Sequence, residues 1–130
     1  MNDQTDPADE QVVALAQQIM DLARGGDLAL LPVIDQGVPV DMQDAAGNTP
    51  IMLAAYHGHA ELVRGLAARG ADVDLANDRR QTPLAGAAFK GDTAVVQALL
   101  DAGADPAAGT PSARDTAAYF GRQEIVDLLG

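Results

Sequence analysis

Residues 48–74 read NTPIMLAAYHGHAELVRGLAARGADVD, and much of this stretch is said again 33 residues later. Thr49-Pro50 recurs as Thr82-Pro83, Ala54-Ala55 as Ala87-Ala88, and Gly58 as Gly91. Val63 recurs as Val96, Leu66 as Leu99, and Gly70-Ala71-Asp72 as Gly103-Ala104-Asp105. So many matches at one spacing mark a stack of like supersecondary units, each of which buries its apolar face only against its neighbours. Within a unit, Thr49 is placed to cap a helix and Pro50 to open it, because that position's N–H would be unpaired in any case. Gly58 ends this first helix. A second runs over about 60–68 and ends before Gly70, the glycine just past a C-terminus.

The pattern thins out in both directions. Upstream, Asp6 and Pro7 mark the start of a helix with Asp9 and Glu10 in its first turn, where the helix dipole favours carboxylates. Val12, Val13, Leu15, Ala16, Ile19, Met20, Leu22 and Ala23 give that helix a broad apolar face, and Gly25-Gly26 ends it. A shorter helix is expected over about 27–36, stopped by Gly37, which lies 33 residues before Gly70. These elements form a first unit with a lengthened opening helix, as a cap facing water would have. Downstream, Ala117-Ala118-Tyr119-Phe120-Gly121 matches Ala87-Ala88-Phe89-Lys90-Gly91 at a spacing of only 30, so the connector between Asp105 and Ser112 is shortened. Thr110-Pro111 is expected to open that unit's first helix, two residues early in register. In the third unit Arg80 stands where Gly47 stood, which predicts a different turn. Gly86 replaces Leu53, which predicts a local loss of packing and helix propensity.

With T-P-I-M-L-A-A in one copy and T-P-L-A-G-A-A in the next, the chain resembles the ankyrin-repeat family over about three quarters of its length. The resemblance implies an all-α solenoid of about four repeats joined by short hairpin-like turns. Its units fall near 7–42, 43–75, 76–108 and 109–130, after a disordered tail at 1–6, and the chain reads as complete with a closing cap. Members of the family usually carry His after T-P-L. Met52 and Ala85 occupy that position here, so a side-chain hydrogen bond typical of the fold is missing from both central repeats.

Composition narrows the function. Cysteine is absent, excluding disulfides and thiolate metal sites. The acidic N-terminus is no secretory signal, no apolar run approaches the ~20 residues that span a bilayer, and a cytoplasmic monomer is the default. Rich Ala and Gly suggest a high-GC bacterium. The formal net charge is −11, with nine acids and one base over 1–48 and five of each over 49–100. Such a chain is repelled by nucleic-acid backbones, while a basic partner would be steered to its N-terminal half. Acidity of this kind also simply keeps a small domain soluble. His57 and His59 form an H-x-H pair, yet Gly58 between them ends a helix and no further His or Cys completes a metal shell. No triad and no phosphate loop can be assembled, so neither an enzyme nor a cofactor is expected.

The four aromatic residues all fall between the Ala-Ala pair and the glycine: Tyr56, Phe89, Tyr119 and Phe120. In a stack they form a stripe on successive inner helices. The resemblance implies that these positions, with the tips of the preceding turns, line a concave surface that meets a protein partner. Carried over by residue, the helix positions are Tyr56, His57, Phe89, Lys90, Tyr119 and Phe120, and the tips are Ala45, Ala46, Asn48, Asp78, Arg79 and Gln81. Aromatic and Arg side chains on a rigid surface make binding hot spots; the alternative is that the rings only fill gaps left by alanines. A second candidate surface is acidic: Asp3, Asp6, Asp9, Glu10, Asp27, Asp35, Asp41 and Asp44. The expected function is a non-enzymatic protein-interaction module. The alternatives are an acidic inhibitor or immunity-type protein that occludes a basic partner and, by similarity to small free-standing bacterial members of the family, an accessory factor for a stress enzyme such as catalase.

Overall fold

A computed structural model describes residues 7–130; the expected tail at 1–6 and the Asp6 cap lie outside them. Among the described residues the chain forms eight helices, α1 (Pro7–Gly25), α2 (Leu30–Asp35), α3 (Pro50–Tyr56), α4 (Ala60–Ala68), α5 (Pro83–Lys90), α6 (Thr93–Asp101), α7 (Ala113–Tyr119) and α8 (Gln123–Leu129). They stack as four pairs. The odd-numbered helices make an inner row and the even-numbered an outer row, each touching its counterpart in the next pair. The fold is an all-α solenoid.

The 33-residue period explains the core. Leu62, Val63 and Leu66 of α4 are buried, as are Val95, Val96 and Leu99 of α6 and, 30 residues further on, Ile125 and Leu129 of α8. In the inner row Ala54, Ala55, Ala87, Ala88 and Ala117 are buried completely, and only side chains this small let short helices lie so close. Ile51 and Leu84 are equally enclosed, whereas their counterpart in the fourth pair, Arg114, is exposed. The last pair therefore presents a polar flank.

The starts of α3, α5, α6 and α7 are capped by side chains of the types that favour it. Thr49 and Thr82 accept the N–H groups of Met52 and Ala85 at 3.3 and 3.1 Å. Asp92 accepts that of Val95 at 3.1 Å. These bonds satisfy donors left unpaired at a helix N-terminus.

Three expectations need correction. The helix expected from about residue 27 begins only at Leu30, because Asp27 forms a turn instead, its carboxylate accepting Ala29 N–H at 2.9 Å. Asp is favoured in such turns over helix interiors. Thr110-Pro111 does not open α7. Ser112 does, accepting Asp115 N–H at 3.1 Å, and Ser112 lies 30 residues after Thr82 in register with the Ala-Ala pair. Finally, the Arg80 turn is the same as the Gly47 turn. Gly47 N–H bonds Asp44 O at 3.0 Å and Arg80 N–H bonds Asn77 O at 2.9 Å, and Arg80 adopts a left-handed φ of 63° against 81° for Gly47. Asp44 and Asn77 each fasten their turn by accepting two backbone N–H groups.

Two ladders lock neighbouring pairs in register. The Asp41 carboxylate accepts Asp72 N–H at 3.0 Å, and Asp74 accepts Asp105 N–H at 2.8 Å. On the other edge, the side chain after each helix-ending glycine leans on the glycine one repeat earlier: His59 on Gly26, Asp92 on Gly58, Arg122 on Gly91. His59 Nε2 donates to Arg24 O at 2.7 Å, and Arg122 to Phe89 O at 2.9 Å.

Candidate protein-binding face

The inner-row helices and the turn tips enclose two adjoining hollows. One, of about 460 Å³, is lined by Ala46, Asn48, Tyr56, Arg79, Gln81 and Phe89, with Met52, Leu53 and Asn77. The other, of about 380 Å³, is lined by Gln81, Phe89, Tyr119 and Phe120, with Ala85, Pro111, Asp115 and Thr116. Gln81 and Phe89 belong to both, so the two form one groove across the second, third and fourth pairs. Tyr56 and Phe89 thus share one side of the molecule.

All four rings are exposed, Tyr56 at 38%, Phe89 at 43%, Phe120 at 46% and Tyr119 at 81%. Phe89 and Tyr119 each meet Phe120 edge to face. Phe89 and Phe120 have centroids 5.1 Å apart at 83°, and Tyr119 and Phe120 4.9 Å apart at 77°, the arrangement that aromatic quadrupoles favour. One repeat earlier, Lys90 Nζ sits 4.7 Å from the Tyr56 ring centroid. The ring of one repeat therefore meets the side chain following the ring of the next: Lys90 on Tyr56, then Phe120 on Phe89.

The other sequence-derived positions divide. His57 packs edge-on to Tyr56 at the rim, with centroids 5.5 Å apart. Its pKa lies below the ordinary imidazole value, chiefly through loss of hydration and then through the positive charge of His59, Lys90 and Arg24. Ala45 and Ala46 border a third, shallower hollow of about 810 Å³ that runs along α1 from Val12 to Arg24, with Val12 and Val13 exposed. Asp78 braces the turns instead of lining the groove: its N–H bonds Ala46 O at 3.0 Å, and it packs against Gly47.

Met52, Ala85 and Asp115 of the floor were missed by sequence reasoning, although a signal existed. All three occupy the same repeat position, four residues before Tyr56, Phe89 and Tyr119 respectively. The period that located the walls also locates the floor. Gly86 is likewise no simple loss, since its place beside the helix is taken by Tyr56, whose Cδ1 would lie 3.5 Å from an added Cβ.

Much of the acidic N-terminal surface is engaged internally. Asp35 is forked by Arg69 at 2.9 and 3.2 Å, and Asp27, Asp41 and Asp44 accept backbone N–H groups. Asp9 and Glu10 are exposed, and Asp3 and Asp6 lie outside the described residues. His59 is held by the Arg24 carbonyl, which makes it a structural residue. No helix is long and apolar enough to cross a membrane among the described residues.

A family model described as ankyrin repeats, in three copies, matches residues 19–110, and the chain belongs to the ankyrin-repeat family. Ankyrin repeats are in general protein–protein interaction modules and typically non-enzymatic. An ankyrin repeat protein of Pseudomonas aeruginosa is 44% identical over 57 residues, covering 43% of this chain and 33% of that protein. Ankyrin repeat domain-containing protein 29 of Danio rerio is 48% identical over 59 residues, covering 44% of this chain and 20% of that protein. Its Homo sapiens namesake is 49% identical over 51 residues, covering 38% and 17%. The matched segments thus span a third or less of these curated relatives.

Proposed function

We propose that this chain is a non-enzymatic binding module, a cytoplasmic monomer that takes a protein partner into the groove lined by Tyr56, Phe89, Tyr119 and Phe120. The observation that carries this reading is the continuity of the two hollows through Phe89 and Gln81, which sets exposed rings along a preformed concavity. A protein interior would bury such rings. Here Phe120 braces Phe89 and Tyr119, Lys90 braces Tyr56, and all four rings stay exposed, so little conformational entropy is lost when a partner covers them. The rival reading, an acidic surface that occludes a basic partner, is weakened because Asp27, Asp35, Asp41 and Asp44 already hold backbone or Arg69.

Affinity capture from the source lysate separates the two. A Tyr56→Ala, Phe89→Ala, Tyr119→Ala variant, shown by circular dichroism to fold, should lose the protein that the wild type retains. Capture by the wild type should also persist as salt is raised, since screening weakens charge pairing far more than ring burial. An unchanged captured set would overturn the groove reading, and a set lost to salt alone would favour the acidic surface.

A further inference from the structure

The hollow between the third and fourth repeats has a chemistry that its neighbour lacks. Three rings, Phe89, Tyr119 and Phe120, stand around it, and the Asp115 carboxylate is its one ionised group. Asp115 is not needed to cap α7, because the Ser112 hydroxyl does so. Among the described residues no cation pairs with Asp115, and none lines the hollow. The repeat before shows what such a ring takes up: Lys90 Nζ sits 4.7 Å from the Tyr56 centroid. At the next step the lysine position is Phe120, so the chain supplies no cation of its own there.

Resting on the concave-face reading above, we propose that this hollow receives an arginine side chain of the protein partner. Aromatic faces attract cations, and a carboxylate beside them adds directed hydrogen bonds. A purely apolar side chain would cover the carboxylate without pairing it, which is unfavourable. Arginine fits better than lysine, because its planar, weakly hydrated guanidinium stacks on rings and forks to a carboxylate with two parallel N–H donors. A net charge of −11 on the chain speeds the approach of such a side chain, while the rings and the carboxylate hold it once it arrives.

The test is a titration of ¹⁵N-labelled protein with N-acetyl-arginine amide, its neutral isostere N-acetyl-citrulline amide, and N-acetyl-lysine amide. The arginine compound should shift the amides of Ala85, Phe89 and Asp115–Phe120 saturably, with Kd on the order of 1–10 mM for a single anchored side chain. Citrulline amide and lysine amide should bind at least several-fold more weakly. Asp115→Asn, which keeps the shape, should weaken the arginine compound about tenfold while leaving the amides of Val63 and Val96 in place. Equal shifts from citrulline or lysine, no effect of Asp115→Asn, or shifts confined to other residues would each overturn the assignment. If the arginine compound leaves the hollow untouched yet the triple alanine variant still loses its captured protein, the arginine assignment falls and the concave-face reading stands.

Discussion

The second and third repeats share a backbone and differ in what fills it. Both have the Thr-Pro start, the two N–H bonds to Asp44 or Asn77 in the turn, and the buried Val63/Val96 and Leu66/Leu99 pairs. They differ at Gly47 against Arg80, Leu53 against Gly86, Gly65 against Ala98, and His57 against Lys90. Each difference answers to a neighbour. Gly65 makes room for Leu31, whose Cδ1 would lie 2.6 Å from an added Cβ, whereas Ala98 is buried with its methyl in place. Gly86 lies beneath Tyr56. The repeats are thus alike in the buried Val and Leu positions they share and unlike where the side chain met in the preceding unit differs, Leu31 for Gly65 and Tyr56 for Gly86.

The sharpest check on the likeness is at the shared core. Leu66→Ala and Leu99→Ala should each destabilise by about 2–5 kcal/mol in urea unfolding, since both side chains are wholly buried. A loss well under 1 kcal/mol at either would show that the two interfaces are not equivalent.

The turns should diverge. Gly47→Ala would carry a side chain at φ 81° and set its Cβ 2.8 Å from the Asp78 backbone nitrogen, a loss of about 2–3 kcal/mol. Arg80→Gly removes the strain of a left-handed arginine and should gain up to about 1 kcal/mol, less the added freedom of the unfolded chain. An Arg80→Gly variant that loses stability would mean that the arginine side chain holds the turn.

The same contrast explains how much of the molecule was legible in the sequence. Spacing located the helix pairs, the core and the groove walls, because stacking turns a sequence period into spatial adjacency. Local residue preference misled at Arg80, where a turn held by Asn77 and by Asp78 N–H on Ala46 O outweighs a penalty of about 1–2 kcal/mol. It misled again at Thr110-Pro111, where the shortened connector moves the cap to Ser112. Asp115 escaped notice because a lone acid in a helix's first turn has an ordinary explanation, and only its register with Met52 and Ala85 places it in the groove.

The two helical glycines make an opposed pair. Gly65→Ala should destabilise by about 1 kcal/mol, overpacking against Leu31 being partly offset by helix propensity. Gly86→Ala meets only ordinary contact at 3.5 Å and should stabilise by about 0.5–1 kcal/mol. Thermal unfolding of both variants reads the two signs directly.

The smallest effect is expected from pH. The folded pKa of His57 lies below its unfolded value, so the unfolded chain binds more protons in that window. Stability should be full above the unfolded value and decline as pH falls through it towards the folded value. His57→Gln should flatten this slope in the window just below the unfolded imidazole value of about 6.5. An unchanged slope would assign the titration to other groups.

The two ladders between repeats run one way along the chain: Asp41 receives from Asp72 and Asp74 from Asp105, while His59 reaches back to the carbonyl of Arg24. A repeat spliced in as a duplicate of residues 43–75 would bring both halves of each fastening. Its Asp72 would present an N–H to the original Asp74, and its His59 would meet the carbonyl of the original His57. Molecules of this design can be lengthened by tandem duplication without inventing a new joint, and the groove would grow by one Tyr-His step each time.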